Sequence, residues 1–201
     1  MKKTAVLLLL ANFLAACGQG AIDTSKTVSV PAAPDKAVYA RVVANPQRSE
    51  ADRARDSSRK PGKVLEFFAV TPGMTVLDLF SGGGYYTELL ADLVGDAGHV
   101  VAHTNEAYLG FVGDEVDARY ANDRLPNVEI WMAENNQLDI DDGRFDAILM
   151  VLSYHDLYYA EPEQGWPKID AARLLRELYT GLKPGGILGI VDHYAEAGAP
   201  R

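Results

Sequence analysis

The stretch Thr75-Val76-Leu77-Asp78-Leu79-Phe80-Ser81-Gly82-Gly83-Gly84-Tyr85-Tyr86-Thr87 decides the fold. Residues 75–79 form a short apolar run of the kind that fills a buried strand, and three consecutive glycines break it. Residues 85–94 follow, with Leu89, Leu90 and Leu93 at helical spacing. A strand that turns through small residues straight into a helix lets the backbone approach a ligand closely. It also offers that ligand the free amide donors of the helix N-terminus. The glycine spacing narrows the choice of ligand. Thr87 stands where the dinucleotide fingerprint G-x-G-x-x-G needs its third glycine. The phosphate loop G-x-x-x-x-G-K-[ST] is absent from the sequence. Leu79, two residues before Ser81, excludes a G-x-S-x-G nucleophile elbow.

The same alternation extends on both sides. Upstream, Ser49 with Asp52 three residues later opens a charged helix over residues 48–60. Pro61-Gly62 interrupts it, and Val64, Leu65, Phe67 and Phe68 then give an apolar helical face able to cover a sheet edge. Downstream, strands are expected at residues 99–103, 127–132, 145–152 and 187–191. Helices are expected within 109–121 and over 169–182, the latter with Leu174, Leu175, Leu178 and Leu182 on its inner side. Strands separated by helices call for an α/β fold with a doubly wound, mostly parallel sheet of about five strands. Ligands of such sheets bind at the carboxyl ends of the strands, where strand order reverses.

The chain has 201 residues, enough for one domain. Its 48% hydrophobic and 23% charged residues are ordinary for a globular protein. The net charge, 19 − 28 = −9, argues against a nucleic-acid partner bound by neutralising phosphates. Cys17 is the sole cysteine, which excludes an intrachain disulfide and a multi-thiolate zinc site.

Lys2 and Lys3 precede an apolar run at residues 5–14 that is shorter than the roughly 20 residues of a membrane span, as in a secretory signal. Leu14-Ala15-Ala16-Cys17 resembles the bacterial lipoprotein lipobox. That resemblance implies a signal peptide at residues 1–16 and acylation of Cys17. Gly18 in place of Asp implies an outer-membrane, periplasmic-side location in a Gram-negative host. Residues 17–45 then read as a flexible tether and 46–201 as the folded domain.

Residues 76–87, Phe145-Asp146-Ala147-Ile148 and Leu182-Lys183-Pro184-Gly185-Gly186 resemble, in order and spacing, the first, fourth-strand and "LkPGG" motifs of class I S-adenosylmethionine-dependent methyltransferases. The resemblance spans residues 61–192. The glycine loop and the His-Asp after the fourth strand are more narrowly similar to a bacterial group of predicted methyltransferases that often carry export signals. The family implies S-adenosylmethionine as cofactor. Gly82, Gly83 and Gly84 would lie under its methionine part, with Asp78 organising the loop. Asn105 or Glu106 would reach the ribose and Glu134 the adenine amino group. Thr104-Asn105 departs from the acid usual at the second strand's tip, and Phe80 stands where the family has its first glycine.

His155-Asp156 follows the fourth strand and Asp192-His193 follows the fifth. Neighbouring strands would gather all four, with His155 or His193 as a base and Asp156 orienting it. A divalent metal site and plain strand-end capping are the alternatives. Tyr85, Tyr86, Tyr154, Tyr158 and Tyr159 would offer an electron-rich wall to a sulfonium. His99 and His103 read as structural or exposed. The family's sheet ends in a hairpin beyond the fifth strand, and the chain ends 201 − 192 = 9 residues after Asp192. The expectation is therefore a truncated chain, or a partner that covers an exposed fifth-strand edge. The expected function is methyl transfer to a small-molecule acceptor. The alternatives are a lipid-anchored, non-catalytic binding module with a degenerate fold, and a nicotinamide-dependent oxidoreductase, which the missing third glycine opposes.

Overall fold

The computed structural model describes residues 35–194. The expected signal segment, the acylation candidate Cys17, the tether up to residue 34 and residues 195–201 lie outside the described residues. Strands β1 (Thr75–Asp78), β2 (His99–Thr104), β3 (Val128–Met132), β4 (Phe145–Val151) and β5 (Leu182–Val191) pair in the order β3-β2-β1-β4-β5. Every pairing is parallel. The helices are α1 (Ala37–Val43), α2 (Glu50–Arg59), α3 (Pro61–Phe67), α4 (Tyr85–Val94), α5 (Glu106–Tyr120) and α6 (Ala171–Gly181). The expected doubly wound α/β sheet is present.

Strand periodicity divides the core. Val76, Val100, Ala147 and Leu149 face α1, α3 and α4, whereas Leu77, Val101, Ile148 and Met150 face Leu174 and Leu178 of α6. Neighbours in sequence thus feed opposite faces, and both faces are buried. Helix α4 is buried everywhere except at Asp92, because α1 and the sheet enclose it. A helix apolar on most sides needs such enclosure.

Two boundaries and one packing position differ from expectation. The tether does not run to residue 45: α1 lies within it, with Tyr39 and Val42 buried and the Tyr39 hydroxyl donating to the Val70 carbonyl at 3.0 Å. One helical turn of apolar spacing was enough to dock it. Strand β5 starts at Leu182, before the expected residue 187. Its register with β4 jumps from Phe145↔Leu182 to Ala147↔Ile187, so residues 183–186 loop out of the ladder. The Asp146 carboxylate pins this corner, accepting from the Thr75 amide at 2.8 Å and from Lys183 Nζ at 2.7 Å. The Phe-Asp and Lys-Pro-Gly-Gly motifs therefore meet at the end of the sheet remote from the glycine loop. Finally, the apolar segment after Pro61 packs on a face of β5, not on its edge. The ring of Phe68 occupies the space that a Cβ at Gly189 would need. Among the described residues no strand pairs with the outer edge of β5.

Helix α5 connects β2 to β3 and carries the largest consequence for function. Only Arg119 among its residues is buried. Instead of lying on a sheet face, it crosses the carboxyl ends of the strands. The sheet beside β3 is correspondingly less covered, and Ile130 and Met132 stay exposed.

Candidate active site

The strand order reverses between β1 and β4, and a cavity of about 240 Å³ opens there. Its lining comes from the loop after β1 (Phe80, Ser81, Gly82, Gly83), the end of β4 (Val151, Leu152, Ser153), Arg55 and Arg59 of α2, and Tyr108, Val112 and Glu115 of α5. Asp78, Tyr85 and Tyr86 complete the wall.

Asp78 is buried and accepts from Thr87 Oγ1 at 2.6 Å. Burial drives its pKa up to about 7, against the Thr87 hydrogen bond and the positive Arg119. Phe80 has φ +57°, the left-handed region that favours the glycine usual there. His103 explains how a phenylalanine is held in it. The buried imidazole faces the Ala133 carbonyl through Nε2 at 3.0 Å, which leaves Nδ1 to accept from the Phe80 amide at 3.4 Å. Burial pushes the His103 pKa down to about 4, so the neutral tautomer this requires is the stable one. The Phe80 ring packs against His103 and Tyr108, with centroids 5.7 and 5.2 Å away, and makes an apolar wall.

Only part of the glycine run faces the cavity. A Cβ at Gly83 would collide with the Glu115 carboxylate, and one at Gly84 with the Arg119 side chain. Gly82 (φ +56°) has open space beside it. The bareness of Gly84 accommodates α5. Arg119 fastens that helix. Its Nε donates to the Gly83 carbonyl, and its terminal nitrogens pair with Glu88 and, at 2.8 Å, with Asp52. Arg124 adds a second cation to Glu88 at 2.6 Å. With Arg55 also paired to Asp52, three arginines thus neutralise two buried carboxylates. This network was invisible in the sequence, because its members lie far apart along the chain.

The residues expected for the nucleoside lie elsewhere. Asn105 is buried and caps α5 by accepting from the Tyr108 amide at 2.8 Å, while its Nδ2 donates to Asn135 Oδ1 at 2.7 Å. It joins two strand tips. Glu134 Oε1 accepts from the Glu106 amide at 3.2 Å, and both residues line a second depression with Ala107, Gly110 and Phe111. Helix α5 therefore separates the two sets. Its Tyr108, Val112 and Glu115 face the glycine-loop cavity, whereas Glu106, Ala107, Gly110 and Phe111 face the other depression.

The histidine–aspartate constellation does assemble. His155 Nδ1 lies 2.8 Å from Asp192 Oδ1, and the His155 amide donates to Asp192 Oδ2 at 2.8 Å. Asp156 Oδ1 lies 3.4 Å from His155 Nε2, and its other oxygen accepts from the Tyr108 hydroxyl. His193 is exposed, its ring 5.6 Å from that of His155. Partial burial works against ionisation of Asp192, but the His193 amide and His155 together hold its carboxyl below the usual range. Among the described residues no three His, Cys, Asp or Glu side chains converge as a metal site. His155 itself is half-exposed, open to a substrate from solvent.

The tyrosines divide. Tyr154 and Tyr158 join through their hydroxyls at 3.0 Å beside His155. The Tyr85 ring is already engaged by the chain's own cations, with the guanidiniums of Arg48, Arg55 and Arg59 at 5.4, 5.0 and 4.9 Å from its centroid. His99 lies 3.3 Å from Glu129, away from the cavity.

A family model described as a methyltransferase domain matches residues 77–190. The ubiquinone/menaquinone biosynthesis C-methyltransferase UbiE of Vibrio campbellii is 30% identical over 130 residues, which are 64% of this chain and 45% of that protein. The Escherichia coli O1:K1 / APEC protein of the same name is 32% identical over 130 residues, 64% of this chain and 46% of its own. The chain thus spans about half the length of the curated relatives it matches. Among solved structures, a SAM dependent methyltransferase from Aquifex aeolicus superposes with a TM-score of 0.54 at 28% identity, covering 83% of this chain and 79% of that one. With a parallel sheet built around the Asp78 loop, and a family match that takes in more than half of its residues, the chain belongs to the methyltransferase domain family.

Proposed function

We propose that this chain is an S-adenosylmethionine-dependent methyltransferase acting on a small-molecule acceptor. The observation that carries the reading is the cavity at the β1/β4 switch point. Its lining holds a buried carboxyl, Asp78, and the Ser153 hydroxyl, which is buried without a hydrogen-bond partner among the described residues. Buried polar atoms are rarely left unpaired, so this lining is suited to a polar ligand. Backbone at Gly82 lies open beside them, which fits the polar methionine end of the cofactor. At about 240 Å³ the cavity is smaller than the roughly 300 Å³ at which pockets for whole small molecules begin, so it suits one end of the cofactor and not all of it. The likeness to the Aquifex SAM dependent methyltransferase and to the UbiE C-methyltransferases supports the same chemistry.

When bound, S-adenosylmethionine supplies a methyl group on a sulfonium, ready for nucleophilic attack. The chain's residues would then do three things. Gly82 and the loop backbone admit the ligand closely. Phe80 and Tyr108 wall the reacting end from water. Asp192 accepts a hydrogen bond from the Nδ1–H of His155 and so holds the tautomer whose Nε2 would accept a proton from the acceptor. Asp156, 3.4 Å from Nε2, stabilises the imidazolium that results. Calorimetric titration of the full chain with S-adenosylhomocysteine tests the reading. Saturable binding is expected, and its absence overturns the assignment. Export and anchoring through an acylated Cys17 belong to the same proposal on the strength of the Leu14-Ala15-Ala16-Cys17 junction. Labelled fatty acid should enter the expressed protein and be lost with Cys17→Ser. Labelling that survives the substitution refutes the anchor.

A further inference from the structure

We propose that Arg59 and Ser153 form a carboxylate-receiving site in the glycine-loop cavity; as a site on the cofactor's own carboxylate, this rests on the reading above. Three guanidiniums surround the Tyr85 ring, but they are not equivalent. Arg48 is held by Asp56 through two hydrogen bonds at 2.8 and 2.7 Å. Arg55 is paired with Asp52. Arg59 lies closest to the ring, at 4.9 Å, and has no carboxylate or other hydrogen-bond acceptor for its guanidinium among the described residues. It lines the cavity.

In a chain with 28 acidic and 19 basic residues, a half-buried guanidinium left over at a cavity is against the trend. Tyr85 restrains it there, since its ring stabilises the cation while its hydroxyl is committed to Asp56 at 2.5 Å. Ser153 supplies the second, independent observation. Its hydroxyl is buried, unpartnered and on the same cavity, delivered by Leu152 in the left-handed region at φ +61°. A guanidinium and a hydroxyl are both donors. The group that satisfies both is an anionic oxygen pair such as a carboxylate. Glu115 and Asp78 also face the cavity. Neither pairs with Arg59, and burial leaves Asp78 largely uncharged below neutrality, so they do not pre-empt the site.

One carboxylate comes from the amino-acid end of the cofactor and another from an anionic acceptor. Nuclear magnetic resonance of the full chain separates them. The Arg59 Nε–Hε resonance is identified by its loss in Arg59→Lys, and sodium acetate is the probe. A saturable shift of that resonance with acetate, absent from the other arginines, supports the site. If S-adenosylhomocysteine abolishes the acetate response, the carboxylate is the cofactor's. Arg59→Ala should then weaken S-adenosylhomocysteine roughly 10- to 100-fold while leaving 5′-methylthioadenosine, which lacks the amino-acid part, unchanged. If the acetate response persists in the S-adenosylhomocysteine complex, the site reads the acceptor. No acetate response, or equal weakening of both nucleosides by Arg59→Ala, overturns the proposal. A chain that answers acetate but binds no S-adenosylhomocysteine sinks the methyltransferase reading and leaves the carboxylate site standing.

Discussion

Replacing Asp78 by Asn changes one atom type in the centre of the site and tests its electrostatics quantitatively. Asp78 has a folded pKa of about 7 against the ordinary 3.8, because burial penalises its charge. A carboxyl whose pKa is raised on folding favours the folded state below the unfolded pKa, and that advantage is lost as pH rises through the folded pKa. The window is therefore pH 4 to 7. A shift of about 3 units corresponds to about 4 kcal/mol between its ends. Asn keeps an oxygen for Thr87 and carries no charge to desolvate. Its stability relative to the native chain should therefore improve with pH, by about 3 kcal/mol between pH 5 and pH 9. Urea unfolding of both proteins across that range measures the difference. Other titrating groups, His103 included, cancel in the subtraction. A difference that stays flat with pH would falsify the picture of a desolvated, ligand-ready carboxyl.

Other substitutions probe the surrounding framework. Arg119→Met leaves Asp52 to Arg55 and Glu88 to Arg124 and removes the tie to the Gly83 carbonyl, and should cost about 1.5–3 kcal/mol in denaturant unfolding. A cost under about 1 kcal/mol would mean that the network does not hold α5 over the loop. Phe80→Gly relieves a left-handed strain of about 1–2 kcal/mol but removes a buried ring worth about 3–5, so a net loss of roughly 2–3 kcal/mol is expected. A stabilised variant would show that the ring packs poorly. Asp192→Asn should lower turnover about 100-fold with any acceptor found by radiolabelled methyl transfer, while S-adenosylhomocysteine affinity changes by less than about 3-fold. Unchanged turnover would reduce the His155 cluster to strand-end capping.

Why some of this was legible and some was not has physical reasons. The β1 loop announced itself because a strand buried on both faces must be apolar and a sharp turn after it needs small residues. The His155–Asp192 pair was legible because each member lies within a few residues of the end of an apolar strand and those strands are neighbours. Helix α5 was detectable as a helix but not placeable. It lacks an apolar stripe, since it rests on charge pairs and the glycine backbone and not on a sheet face. Asp52 and Arg119 are 67 residues apart (119 − 52), and nothing local in the sequence ties them together. That is why the glycine run gave no hint that Gly83 and Gly84 also make room for α5, and why nothing in the sequence set Glu134 apart from Asp78. Helix α1 was hidden by its brevity and by proline-rich flanks, although Tyr39 and Val42 already stood one turn apart.

A crystal structure of the full chain grown with S-adenosylhomocysteine addresses the central idea directly. Density for the ligand's amino-acid end between the Gly82 loop and Ser153, with Asp78 beneath it, is the predicted result. Ligand density confined to the Glu106–Glu134 depression, with Phe80 and Tyr108 still closing an empty glycine-loop cavity, contradicts it.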